Sequence, residues 1–457
     1  MRSSTVFSFL AFFSGLLACD EPARPDVQSP SGTTVATTAS TPRSAKPNPV
    51  SSAPASASSA PAASTPPVAP PATEAVTKLA NGSNAFGFDL YQRLRKKPGN
   101  IVVSPASITT ALSMTWGGAK GDTASQMKKV LHLEGTPEEV MTTSGQLAAS
   151  LEDPSRPIKF RIANQLFGEK TFKFEQAFLD KTKAAYGAPL EMLDFKNAAE
   201  PSRVRINGWV EGETEKRIVD LIPKEAITSD MRLVLVNAIY FLGDWEYPFE
   251  KEKTQNAAFF TTKSDKKDVP MMNRTGGYKL VQKDGMKAIE LSYKGGAMSM
   301  VVVLPDQVDG LEAIEKSLDQ KKLAELTKEM KNERVWAQIP KFEIAPANSL
   351  SLGEDLKEMG MKDAFDRKKA DFTAIANPPN PDDKLFIGKV FHKAFVKVDE
   401  KGTEAAAATA VLMPKAGSAA PAEPIPFKAD HPFLYFIRDN ASGLVLFMGR
   451  VADPATK

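Results

Sequence analysis

Histidine and cysteine are the side chains that most readily bind metals or do nucleophilic and acid–base chemistry near neutral pH. This chain is poor in both. Its 457 residues include one cysteine, Cys19, and three histidines, His132, His392 and His431. One cysteine admits no disulfide within the chain and leaves no thiol chemistry for the remainder. Without a Cys/His cluster no zinc site is expected, and no Ser or Cys nucleophile motif accompanies His392 to make it a catalytic base. No glycine-rich phosphate loop is present either, so enzymatic function is disfavoured and no cofactor or metal is expected. Lys and Arg number 58 against 55 Asp and Glu, a net charge of +3. Electrostatics therefore imply neither nucleic acid nor an acidic membrane surface as partner. Lys321, Lys322, Lys328 and Lys331 are interleaved with Glu325, Glu329 and Glu333, the pattern of a solvated helix face.

The segment with unusual physical character is Glu400-Lys401-Gly402-Thr403-Glu404-Ala405-Ala406-Ala407-Ala408-Thr409-Ala410-Val411. It follows a strand-like run, although its alanines favour helix. The stretch from Met413 to Pro426 that comes next is rich in Pro, Gly, Ser and Ala, as in an exposed loop. Small side chains suit a segment that must slide into a crowded place, because each added methylene would clash there. Gly402 would permit backbone angles that other residues resist, as a hinge requires.

The elements that must position this segment begin far from the N-terminus. Arg2 and the apolar run Val6–Leu17 have the shape of a secretion signal, too short to span a bilayer. Leu16-Leu17-Ala18-Cys19 resembles a bacterial lipobox, which makes residues 1–19 a lipoprotein signal with lipid attached at Cys19; an ordinary secretion signal is the alternative. Residues 20–77 are Pro, Ala, Ser and Thr with almost no large apolar side chains, so they cannot offset their ordering entropy and read as a disordered linker. Phe86, Leu90, Tyr91 and Leu94 form the first helical stripe, and the folded domain is placed at 78–457. Ser104-Pro105 reads as an N-cap and first helical turn after the strand Ile101–Val103. Leu233–Phe241 and Met298–Leu304 read as strands covered on both faces, with further strands at Leu385–Val398, Phe433–Ile437 and Leu444–Val451. Early helices and late strands predict an α+β fold.

The segment from Glu400 to Thr409 resembles the reactive-loop hinge of inhibitory serpins, and the likeness extends over the whole domain. Asn100-Ile101-Val102-Val103-Ser104-Pro105-Ala106-Ser107-Ile108 is similar to the family's N-terminal strand and shutter helix, and Ala119-Lys120-Gly121-Asp122-Thr123 to the turn that follows. Val236–Phe241 with Trp245 resembles the central strand of the large sheet and its breach tryptophan. Leu304-Pro305, Pro340-Lys341-Phe342, Ala370-Asp371-Phe372 and Asp430-His431-Pro432-Phe433 occur in the family's order.

This resemblance implies a serpin fold: a large central β-sheet, smaller sheets, surrounding helices and an exposed reactive-centre loop. It implies a suicide inhibitor of serine, or also cysteine, endopeptidases. The protease attacks the loop and forms an acyl-enzyme; the cut loop then enters the sheet as a strand, with Thr403, Ala405, Ala407 and Thr409 facing the core. Ser104, Ser107, Asn237 and His392 correspond to the shutter cluster beneath the sheet opening. Family spacing places the cleaved bond at Ala416-Gly417, suiting an elastase-like or subtilisin-like protease. A shift of one gives Lys415-Ala416 and a trypsin-like target, and Met413 is a third choice. The inhibitor is expected to be monomeric, exported and lipid-anchored to a bacterial cell envelope. Two alternatives stand beside this reading: a non-inhibitory serpin that binds a ligand or partner, and a surface lipoprotein for adhesion or envelope architecture.

Overall fold

Local sequence dictates how the domain starts. Thr73 caps a helix, accepting a hydrogen bond from the Val76 N–H, and α1 runs Glu74–Leu94 with the Phe86, Leu90, Tyr91 and Leu94 stripe buried. The helix thus begins four residues ahead of the Lys78 boundary expected from composition, because the cap lies in the polar residues before the stripe. After the strand Ile101–Val103, the Ser104 side chain accepts from the Ser107 N–H and Pro105 occupies the first turn of α2, Pro105–Trp116. Helices α3 (Gly121–Val130) and α4 (Pro137–Leu151) follow, the latter opened by a reciprocal Thr136–Glu139 capping box. The computed structural model describes residues 72–187, 190–380, 383–403 and 423–456.

The described residues form two sheets. In the nine-stranded one, neighbours run Ile101–Val103, Val445–Val451, Phe433–Asp439, Met298–Pro305, Met286–Ser292, Lys266–Lys283, Lys331–Pro340 and Ile425–Lys428, with Gln255–Phe260 also paired to Lys266–Lys283. The smaller sheets expected from the sequence are joined here through the long strand Lys266–Lys283, which pairs with Met286–Ser292 along one part and with Lys331–Pro340 along most of its length. Met298–Pro305 is buried at every position, as its largely apolar run predicts.

The second, eight-stranded sheet holds the hinge. Its strands in chain order are β1 (Ile158–Glu169), β2 (Glu191–Leu193), β3 (Leu233–Asp244), β4 (Phe342–Ile344), β5 (Leu350–Ser351), β6 (Val390–Ala394), β7 (Val396–Val398) and β8 (Gly402–Thr403). The strand-like stretch Leu385–Val398 is therefore strand only from Val390, with a break at Phe395. Helices and strands are also less segregated than expected, since Leu311–Ser317, Gln320–Glu329 and Gly353–Met359 are helices of the second half. On Gln320–Glu329 the lysines are exposed and Leu323 and Leu326 are buried, so the basic run is a solvated face.

The similar motifs meet one another. The Lys120 N–H donates to the Asp371 carbonyl at 2.9 Å and the Asp371 N–H to Thr123 Oγ1 at 3.0 Å. His431 Nε2 lies 2.8 Å from the Pro305 carbonyl, and Asn100 binds the backbone of Ala452 and Asp453.

Candidate functional site

The site is a gap in the second sheet. Strand β6 runs parallel to β3, registered from Val390 opposite Leu235 to Ala394 opposite Ile239. Beyond Phe395 the chain leaves β3, and β7 pairs with β4 on its other side. The gap opened in this way is filled by β8: Thr403 lies opposite Val398 of β7 and Gly243 of β3, antiparallel to both. Two parallel strands thus part at one end around the start of an antiparallel third.

Each described hinge residue is held there by identifiable contacts. The Glu400 carboxylate accepts from Lys341 Nζ at 2.8 Å and from Thr254 Oγ1 at 2.9 Å. Burial alone would raise its pKa, but these donors outweigh burial and hold it below the ordinary carboxylate value. The Trp245 N–H donates to the Lys401 carbonyl at 2.7 Å, and its indole Nε1 to the Asp399 carbonyl at 3.0 Å. Trp245 also stacks on Tyr293, ring centroids 4.6 Å apart. Thr403 is fully buried, its hydroxyl 2.7 Å from that of Tyr293.

Gly402 departs from expectation in its reason. Its φ is not in the left-handed region, so backbone freedom is not what the site requires of it in this state. A Cβ there would stand 2.0 Å from the Gly243 carbonyl oxygen and 2.7 Å from Asp244 Cα. The glycine permits strand-to-strand approach.

Beneath the closed part of the sheet, the four expected polar residues come together. His392 is fully buried; its Nε2 accepts from the Ser104 N–H at 3.1 Å and its Nδ1 meets Asn237 Oδ1. The ring must therefore carry its proton on Nδ1 and donate it to Asn237. Burial pushes its pKa down to about 3, so it is neutral. Asn237 Nδ2 donates to Ser107 Oγ at 2.6 Å and to Asn164 Oδ1 at 2.6 Å. These bonds tie β3 and β6 to the first turn of α2.

Sequence reasoning missed Asn164 and Tyr293. Asn164 stands on β1 opposite Asn237 and donates to the Ser107 carbonyl at 3.1 Å. A polar residue between Ala163 and the largely buried run that follows it was the available signal. Tyr293 gave none, because its partner Thr403 lies 110 residues away. Residues Glu404, Ala405, Ala406, Ala407, Ala408 and Thr409 of the hinge lie outside the described residues, as do the candidate bond residues Met413, Lys415, Ala416 and Gly417, and Cys19. The other histidines stand apart, His132 against Asp89 at 2.7 Å and His431 against Pro305.

The family model described as Serpin (serine protease inhibitor) matches residues 81–454. The chain is 39% identical over 393 residues to the leukocyte elastase inhibitor of Equus caballus, covering 82% of this chain and all of that protein. It is 40% identical over 402 residues to Serpin B3 of Homo sapiens, covering 83% and 100%. Among solved structures, uncleaved ovalbumin superposes with a TM-score of 0.74 at 31% identity, covering 82% of this chain and 100% of that one.

Proposed function

The chain belongs to the serpin (serine protease inhibitor) family, and we propose that it traps its target by inserting its own cleaved loop between β3 and β6. The observation that carries this reading is Thr403, already seated antiparallel between two strands that run parallel below it. Continuing the register of β8, Ala405 would fall opposite Phe241 and Val396, Ala407 opposite Ile239 and Ala394, and Thr409 opposite Asn237 and His392. Small or hydroxylated side chains would thus enter the core face, and Thr409 would arrive at the polar cluster that joins the strands. Insertion replaces one parallel pairing with two antiparallel ones, which are somewhat more stable per residue, and gives the loop backbone partners along its length.

The target follows from the bond. Ala416-Gly417 suits a protease with a small primary pocket, elastase-like or subtilisin-like, and the similarity to leukocyte elastase inhibitors supports that class; Lys415-Ala416 would instead suit a trypsin-like enzyme. Mixing the protein with a panel of these proteases tests both points. A covalent complex on a denaturing gel is the expected product, whereas a ladder of fragments with the protease still active refutes trapping.

The same proposal includes a location, supported by sequence alone: export, lipid attachment at Cys19, and a linker over 20–77 carrying a monomeric inhibitor that protects the cell envelope from secreted proteases. Cys19→Ala should release the protein from the membrane fraction. Retention there would refute the anchor without touching the inhibitory reading.

A further inference from the structure

Hydroxyls buried in protein interiors are hydrogen-bonded as a rule, because desolvating one without a partner is costly. Helical Ser and Thr have an easy remedy, bonding to the carbonyl four residues back; Thr110 does so with Ala106 at 2.8 Å and Thr182 with Phe178 at 3.0 Å. Ser83 of α1, Thr109 of α2 and Ser144 of α4 do not. They are 1%, 2% and 3% exposed, and their hydroxyl oxygens have no hydrogen-bond partner among the described residues. The buried Tyr186 hydroxyl leans toward Ser144, but neither gains a hydrogen bond of proper geometry.

All three residues line one small cavity of about 10 Å³, together with Thr110, four leucines, two alanines and Ile162 of β1. Three unpartnered hydroxyls from three helices around one void of that size match the requirements of a single buried water. Such a site needs roughly 10–15 Å³ and supplies about three hydrogen bonds. We propose that one ordered water is bound here, held by Ser83, Thr109 and Ser144, and that it fastens α2 to α1 and α4. Its place gives this fastening a purpose. Ile162 precedes Asn164 by two residues on β1, and α2 presents Ser104 and Ser107 to the sheet. The water therefore anchors α2 from behind while its first turn holds the strands. This inference does not depend on the inhibitory reading.

A crystal structure of the protein at about 1.8 Å resolution, with the variants Ser83→Ala, Thr109→Val and Ser144→Ala, tests it. The expected result is a density peak within hydrogen-bonding distance of at least two of the three oxygens, together with a melting temperature lowered by about 2–4 °C in each single variant, because removing one partner leaves the others short. A dry cavity in the native density overturns the proposal. So do single variants that melt higher than the native protein, the outcome if each hydroxyl were simply an unsatisfied group.

Discussion

The hydroxyls of Thr403 and Tyr293 meet at 2.7 Å inside the core, Tyr293 in turn stacked on Trp245. The Thr403 side chain is thus already docked in the core of the intact chain. Burial pushes the tyrosine hydroxyl far above its ordinary pKa, so it stays neutral. Among the described residues, the side-chain hydrogen-bond partner of Thr403 is this neutral hydroxyl. Thr403→Arg would place a cation against that pair at a cost of several kcal/mol. It should abolish the covalent complex while the loop remains cleavable, read by gel and by residual protease activity; unchanged inhibition would refute entry at this point.

Gly402→Val should weaken inhibition without unfolding the domain. Its first carbon would collide with the Gly243 carbonyl, which is backbone and cannot swing aside. The hinge should back out of the gap, and more inhibitor molecules should be cut for each protease trapped. The number of moles consumed per mole of enzyme is the measurement, expected to rise several-fold.

His392 gives the native form an acid limit. Its pKa is about 3 when folded against 6.5 when free, so below pH 6.5 the unfolded chain takes up a proton that the folded one refuses. The stability associated with this group is fully present above pH 6.5 and is lost as pH falls toward 3, by about 1.4 kcal/mol per unit well inside that window. Melting curves from pH 7.5 to 4.5 should show the decline, and His392→Gln should flatten it relative to the native protein. Parallel slopes would assign the acid sensitivity elsewhere.

Cutting the loop should raise the melting temperature. About ten newly inserted residues, each contributing about 1 kcal/mol through backbone pairing, give on the order of 10 kcal/mol. At about 2 °C per kcal/mol that is about 20 °C. Equal melting points before and after cleavage would mean that the intact molecule stores nothing.

Much of this site was legible in the sequence, for reasons that differ by residue. Ser104 and Pro105 announce a helix start by local chemistry, and they start one. The largely apolar runs of β3 and Met298–Pro305 predicted burial on both faces, and both are buried almost throughout. The cluster of Ser104, Ser107, Asn237 and His392 came from the family resemblance, and the structure brings the four together. Gly402 was chosen for a freedom that the structure does not use; its closeness to Gly243 belongs to strand packing, which no local pattern encodes. Tyr293 and Asn164 depend on contacts between distant elements, and neither residue type marks such a role by itself.

The gap between the strands is open at one end only. Below Ala394 and Ile239 the pair is already zipped, and above them Thr403 has taken the first place. On the proposed mechanism, entry of the loop would have a fixed direction and a fixed first step, and it would run against a clock set by the protease, which would be free once it hydrolysed its own acyl bond. A molecule that finished first would be spent along with its captive; one that finished late would merely be cut. The dose of such an inhibitor would be counted molecule for molecule, and its quality would be a ratio of two rates rather than a strength of binding.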